Sequence, residues 1–212
     1  MTTLTSDCLA LRRAVAAGLL LCGTACGLID DDRSESNKYI YLTFYDKGFE
    51  ALCLEHYDLN GDGRLSRYEA QRVVTLDCAG AGLTSLTDLR EFTSLRRLDC
   101  RDNALTELDL SYLSALEEVR CDGNSLTRLD VDNLRGLTLL TCRANALQQL
   151  DLASVPSLAR LDCRSNRLRT LDVSSCAPTL EADLRDNAEL ATVYCTTSQT
   201  ITSDGPTEVV VR

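Results

Sequence analysis

From about residue 74 the apolar positions recur in two short alternating bursts, and the whole pattern repeats every 21 residues. Four segments align: LRRLDCRDNALTELDLSYLSA from Leu95, LEEVRCDGNSLTRLDVDNLRG from Leu116, LTLLTCRANALQQLDLASVPS from Leu137, and LARLDCRSNRLRTLDVSSCAPT from Leu158, the last with one extra residue. They share L-x-x-L-x-C-x-x-N-x-L-x-x-L-D-[LV]. A degenerate turn precedes them over 76–94. Another follows from Leu180, where Leu184, Asn187, Leu190 and Val193 keep part of the pattern. Alternation with period two is a strand signal. It sends Leu98 and Cys100 to one face and Arg97, Asp99 and Arg101 to the other. The second half of each turn (LTELDL, LTRLDV, LQQLDL, LRTLDV) alternates as well. The pattern therefore predicts a second run of short parallel strands opposite the first, in place of helices. One such turn cannot bury its apolar face alone, whereas stacked turns make a continuous core.

Two columns follow from the period. Asn103, Asn124, Asn145, Asn166 and Asn187 fall at the bend, where an amide satisfies backbone groups that the bend leaves unpaired. Cys78, Cys100, Cys121, Cys142 and Cys163 each take an inward strand position of a separate turn. Metal sites cluster their ligands as C-x-x-C with further Cys or His, which this spacing does not do. The column is therefore expected to be reduced, inert thiols acting as small hydrophobes. A hydroxyl put there, as in Cys121→Ser, is expected to find no partner. A Cys176–Cys195 disulfide near the far edge is left open. Asp109, Asp130, Asp151 and Asp172 form an outward column, expected to bond to donors in their own turns.

Ahead of the repeats the period changes. Phe49, Leu52, Cys53 and Tyr57 lie on one face of a helix predicted over about 46–57, and a second helix is predicted over about 66–73. Between them 58–69 reads DLNGDGRLSRYE, which matches the calcium-loop pattern D-x-[DN]-x-[DN]-G-x5-E in full. Asp58, Asn60, Asp62, Ser66 and Glu69 would offer side-chain oxygens and Arg64 its carbonyl, with Gly63 at the sharp turn and Leu65 packed inward. Hard oxygen donors suit Ca2+, here in a structural role. A solenoid end also needs a cap, and this unit is placed to be one.

Residues 1–25 read as a signal peptide: Arg12 and Arg13, an apolar run over 14–21 too short to span a bilayer, then small residues before Cys26. Gly23-Thr24-Ala25-Cys26 resembles a bacterial lipobox, although Leu is usual where Gly23 stands. Lipid attachment at Cys26, anchoring the chain to the cell envelope at the outer membrane, is one reading. Simple cleavage and secretion is the other. Residues 26–38 are acidic and polar, a flexible tether. The division is thus 1–25 signal peptide, 26–38 tether, 39–73 EF-hand-like helical cap, 74–195 solenoid and 196–212 terminal strand or tail.

Charge and composition narrow the function. The formal charge is −10, which argues against nucleic acid, whose phosphates need a basic surface. His56 is the sole His, and no nucleophile–base pair, G-x-S-x-G or phosphate loop is found, so no enzyme is expected. The repeats resemble the leucine-rich repeat over 74–195. With the calcium-loop cap, the chain resembles bacterial surface leucine-rich-repeat proteins, the internalins among them, over 39–200. It departs from internalins in repeat length and in lacking a sorting signal or downstream module. The resemblance implies an α+β fold, with a parallel-strand solenoid behind a helical cap, and a protein or glycan partner on a concave sheet. Membrane contact would come only through a lipid anchor. The outward residues of that sheet are Arg97, Asp99, Arg101; Glu118, Arg120, Asp122; Leu139, Thr141, Arg143; and Arg160, Asp162, Arg164. Six Arg against four acids on an acidic protein make Arg97, Arg101, Arg120, Arg143, Arg160 and Arg164, with Leu139 as an apolar anchor, the candidate binding residues. The alternative is that these charges pair across strands for solubility, Asp99 with Arg120 and Asp122 with Arg101 or Arg143, in a purely structural envelope component without a specific ligand. The oligomeric state is not legible.

Overall fold

A computed structural model describes residues 39–212. The signal peptide, Cys26 and the 26–38 tether lie outside the described residues. No helix among the described residues is long and apolar enough to cross a membrane.

The chain enters through helix α1 (Lys47–Tyr57) and the short α2 (Arg67–Ala70), which stops before Val73. Phe49 and Cys53 of α1 are buried, with Leu52 and Tyr57 packed beside them. Asp46 ties this unit to the first turn. Its Oδ1 accepts from the amides of Gly48 and Phe49, and its Oδ2 accepts from Thr84 N, Thr84 Oγ1 and Ser85 N. Burial pushes the Asp46 carboxyl up, but bonds from Thr84, Phe49 and Gly48 outweigh it and hold it below the ordinary range. Phe49 packs edge-on to Phe44 and tilted against Phe92, with ring centroids 5.6 and 5.8 Å apart.

The solenoid follows. The first burst of each turn forms β1 (Thr75–Asp77), β2 (Arg97–Asp99), β4 (Glu118–Arg120), β6 (Leu139–Thr141), β7 (Arg160–Asp162), β9 (Glu181–Asp183) and β11 (Thr200–Thr202). These make one seven-stranded parallel sheet in that order. The second burst gives β3 (Glu107–Asp109), β5 (Arg128–Asp130), β8 (Thr170–Asp172), β10 (Thr192–Cys195) and β12 (Glu208–Val211). The expected second run of strands is therefore present, but in two pieces: β3 with β5, and β8 with β10 and β12, with no strand at 149–151 between them. Between the two runs lies the core. A central turn buries Leu137, Leu140, Cys142, Leu147, Leu152 and Val155 almost completely, and each buried Leu contributes roughly 1.5–3 kcal/mol.

Backbone polar groups at the bend are met as the Asn column predicts. Leu105 N, Leu126 N, Leu147 N and Leu168 N donate to the Oδ1 of Asn124, Asn145, Asn166 and Asn187 in the following turn, at 2.9–3.1 Å. Each of these Asn residues returns its Nδ2 to carbonyls of its own turn and of the turn before. Just before each Asn stands a residue with left-handed backbone: Asp102, Gly123, Ala144, Ser165 and Asp186, with φ of 54, 64, 52, 55 and 59°. Only glycine takes this conformation without cost. Ala144→Gly should therefore raise stability by about 0.5–1 kcal/mol. Gly123→Ala should lower it by about 1–2 kcal/mol, because its backbone is left-handed and the Asp102 carboxylate would also have to shift from a new Cβ. Thermal melts of the two variants check both signs.

The cysteines of the column are buried free thiols, as are Cys53, Cys176 and Cys195, so the Cys176–Cys195 disulfide is not formed. Cys176 Sγ instead points to Leu152 O at 4.0 Å. Burial pushes the Cys78 thiol up to about 12 and Cys176 up to about 11. Cys100 and Cys121 stand well above the ordinary range, also through burial. One expectation needs correction. Cys121 Sγ lies 3.3 Å from Thr141 O, so a hydroxyl at that position would meet a carbonyl. The strand register sets this, because each turn sits one strand spacing from the next and brings the neighbour's carbonyl over the side chain.

Candidate functional site

Two regions carry candidate chemistry: the outward face of the seven-stranded sheet, and the loop between α1 and α2.

On the sheet, alternation and in-register stacking build three rows. The first row reads Thr75, Arg97, Glu118, Leu139, Arg160, Glu181, and the second Asp77, Asp99, Arg120, Thr141, Asp162, Asp183. Two residues further on, at the bend, stand Arg101, Asp122, Arg143, Arg164 and Arg185. All seven candidate binding residues thus share one face or its bend edge. The sheet is wider than the four repeats, however. It adds Asp77, Glu181 and Asp183 against the single extra Arg185, so the excess of Arg seen over β2–β7 is not a property of the whole face.

Most of these charges are paired along their own strand. Arg101 meets Asp99 at 2.7 Å, Arg164 meets Asp162 at 2.7 Å, and Arg185 meets Asp183 at 2.6 Å. A D-x-R triplet puts both side chains on one face, so this signal was present in the sequence (DCR, DCR, DLR). The expected Asp99–Arg120 pair is not formed, because Arg101 takes Asp99 first. Across strands, Arg97 meets Glu118 at 3.4 Å, and Arg120 meets Glu118 along its strand at 3.5 Å. Burial raises Asp99, but the Arg101 guanidinium overcomes it and holds the carboxyl low. Bonds from Arg185 keep Asp183 low as well.

The ladder of clamps breaks in the middle. The third turn of the sheet has R-x-D (Arg120, Asp122) and the fourth has T-x-R (Thr141, Arg143). Asp122 is buried and accepts from Thr141 Oγ1 and Arg143 N, both at 2.9 Å. Burial dominates there and lifts its carboxyl above the ordinary range. Arg143 is left with Asp122 at 3.9 Å and a side chain half exposed. Arg160, exposed beside Leu139, has no ion-pair partner among the described residues. Arg101, Asp122, Arg143 and Arg164 line a depression of about 340 Å³ at the bend edge.

The loop over 58–69 is held by its own side chains. Asp58 accepts from the amides of Gly61, Asp62 and Gly63, Asn60 Oδ1 from Asp62 N, and Asp62 Oδ1 from Arg64 N. Glu69 reaches back across the loop: Oε1 accepts from Leu59 N at 2.9 Å, and Oε2 from Ser66 N and Oγ. Ser66 and Glu69 are buried and cap α2 reciprocally. Asp62 Oδ2 is turned towards the Tyr41 hydroxyl and Asn60 Nδ2. Six donor residues suited to a hard cation thus line one loop. As the side chains lie, no three acidic, His or Cys groups among the described residues converge on one point. The outward Asp column is engaged locally, as expected: Asp109 with Ser111, Asp130 with Asp132 N, Asp151 with Ala153 N and Asp172 with Ser174.

No family model matches this chain, and no curated protein matches its sequence. Solved structures do. The functional domain of InlJ from Listeria monocytogenes, described as including a cysteine ladder, is 31% identical over 76% of this chain, with a TM-score of 0.63. An internalin, InlF, from the same species is 16% identical over 76% of this chain, with a TM-score of 0.55. This chain spans only 38% and 52% of those two structures. The chain is similar to internalins in fold, a parallel-strand leucine-rich-repeat solenoid, and like InlJ it stacks a ladder of cysteines inside.

Proposed function

We propose that this chain is an exported binding protein of the cell envelope, presenting the outward face of the seven-stranded sheet to a protein or glycan partner. The observation that carries this reading is the break in the clamp ladder. There Leu139, Arg143 and the unpaired Arg160 offer an apolar contact between two guanidinium groups not committed to tight carboxylate clamps. Arg is enriched at interfaces because its planar fork binds bidentately. An unclamped Arg can pair with a partner without first breaking an internal ion pair. The likeness to internalins supports an interaction surface. The test is saturable retention of envelope proteins and glycans on the immobilised chain. Arg143→Glu with Arg160→Glu should abolish retention, while Arg128→Glu on the opposite side leaves it intact. Equal retention by all three would remove the sheet face from the reading. No saturable retention at all would favour the structural alternative, which the clamped Arg–Asp pairs support.

Export by the 1–25 signal, with lipid on Cys26, belongs to the same proposal. So does a structural calcium ion held by Asp58, Asn60, Asp62, Ser66 and Glu69 with the Arg64 carbonyl. The chemistry of this oxygen donor set supports calcium. When bound, the ion would cross-link the start of the loop to α2. Glu69→Gln preserves an acceptor for the α2 cap but removes the carboxylate. Calcium should raise the melting temperature of the parent chain and leave that of Glu69→Gln unchanged. Equal melting of the parent with calcium and with chelator would remove the metal.

A further inference from the structure

Among the described residues, the core stripe of the solenoid is uncovered at β12. β12 is hydrogen-bonded to β10 alone, in parallel register Val193↔Val209 and Cys195↔Val211. That register puts Val209 and Val211 on the same face as Val193 and Cys195. The latter two are buried at 0% and 3% exposure, while Val209 and Val211 are 46% and 54% exposed. They are the next rung of the inward stripe, and among the described residues no further rung covers them.

The backbone is open in the same way. In a parallel pair, alternate residues turn their N–H and C=O to opposite sides. Glu208 N and Arg212 N donate to Ala191 O and Cys195 O, each at 2.9 Å. Residues 208, 210 and 212 therefore face β10. The amides and carbonyls of Val209 and Val211 face away, where no described strand meets them. Such an edge is a template for another strand.

The segment over 208–212, Glu-Val-Val-Val-Arg, is its own antiparallel complement. With a two-fold axis at Val210, Val209 stands opposite Val211 of a second copy, and each such pair exchanges two N–H···O bonds through the groups that face outward. Glu208 then stands opposite Arg212 at both ends. Sliding by one residue would set outward-facing groups against inward-facing ones. Sliding by two would lose both charge pairs. Glu208 has no ion-pair partner among the described residues. The Arg212 guanidinium lies over the Tyr194 ring at 3.6 Å and 3.1 Å from Asp172 Oδ2, yet its side chain stays 53% exposed.

We propose that the free edge of β12 pairs antiparallel with β12 of a second copy of this chain, joining two solenoids end to end with their apolar stripes in line. The contact is isologous, as a two-fold requires. It leaves the outward face of the seven-stranded sheet free, so it does not rest on the binding reading above. One strand pair and one rung form a small interface, so the dimer is concentration-dependent.

Sedimentation of the purified chain over a concentration series tests this. The parent should show a monomer–dimer equilibrium. Val211→Pro removes one outward amide, keeps the bonds from Glu208 N and Arg212 N to β10, and should abolish the dimer without changing the melt. Glu208→Arg and Arg212→Glu should each weaken self-association on the order of tenfold, since two attractive pairs become repulsive. A one-to-one mixture of these two variants should associate again as a heterodimer, because every facing pair is then opposite in charge. That recovery also shows that both variants are folded. A parent that stays monomeric into the millimolar range overturns the proposal. So does a dimer unaffected by Val211→Pro, or a mixture that fails to recover.

Discussion

Asn166→Ala should destabilise the protein by roughly 2–4 kcal/mol. In the parent, Leu147 N donates to Asn166 Oδ1 at 3.0 Å, and Asn166 Nδ2 bridges the carbonyls of Cys142 and Cys163 at 2.9 and 3.1 Å. The carbonyls keep a second donor after the change, because Asn145 reaches Cys142 O and Asn187 reaches Cys163 O. The Leu147 amide has no such reserve, so the main cost is one orphaned N–H in a site only 7% exposed. Urea unfolding gives the magnitude. Hydrogen exchange at Leu147 gives the location, since its protection should collapse while that of distant turns is less affected. Asn166→Asp should be worse than Asn166→Ala at neutral pH, because it sets a carboxylate against carbonyl oxygens. The new carboxyl would have a raised folded pKa. Its penalty is therefore full above that pKa and relieved as pH falls through it, when the protonated oxygen can donate. A melt of Asn166→Ala within error of the parent would show that the Asn column does not carry the bends.

The thiol ladder should be nearly silent in the native state. Cys78, with its pKa pushed up to about 12 by burial, would hold roughly a thousandth of the thiolate of an ordinary cysteine at mildly alkaline pH. The deeper Cys100 and Cys121 should hold less still. A thiol reagent should therefore modify the eight described cysteines only on unfolding. Fast native labelling of the column, or its members joined in pairs by mass, would end the inert-core reading. The ladder should not respond evenly to Ser. Cys121→Ser gives its hydroxyl Thr141 O as acceptor and should cost under about 1 kcal/mol. Cys142 Sγ faces only Cys163 Sγ, at 3.4 Å, so Cys142→Ser should cost about 1–3 kcal/mol. Equal costs at the two positions would mean that the ladder relaxes around either change.

The periodic features were legible because each obeys a local rule repeated along the chain. Strict alternation around Leu98, Val119, Leu140 and Leu161 leaves those side chains only the inward face. The Asn column follows from the need to satisfy a bend that every turn must make. Leu65, apolar inside a polar loop, had no good place but the interior, and it is 1% exposed. The D-x-R clamps were readable as same-face neighbours two residues apart. The cross-strand pairing of Asp99 with Arg120 was expected instead, because spacing alone does not say which of two nearby guanidinium groups a carboxylate will meet.

Period and alternation are enough to make this protein a stack of parallel strands with apolar and cysteine rungs inside. They act on each turn in the same way, wherever the turn sits. Features that depend on one turn's position beside its neighbours were set by the packing of the turns. The flanking strands β1 and β9, the first and sixth of the sheet, brought Asp77, Glu181 and Asp183 onto the face and cancelled the apparent excess of Arg. Stacking placed Thr141 O over Cys121 and Thr141 Oγ1 against Asp122, and so left Arg143 loosely paired. The last rung shows the same dependence. Val209 has the same kind of side chain as Val193 and shares its face, yet one is half exposed and the other buried. Burial in a solenoid is conferred by the next turn, and no residue carries it alone.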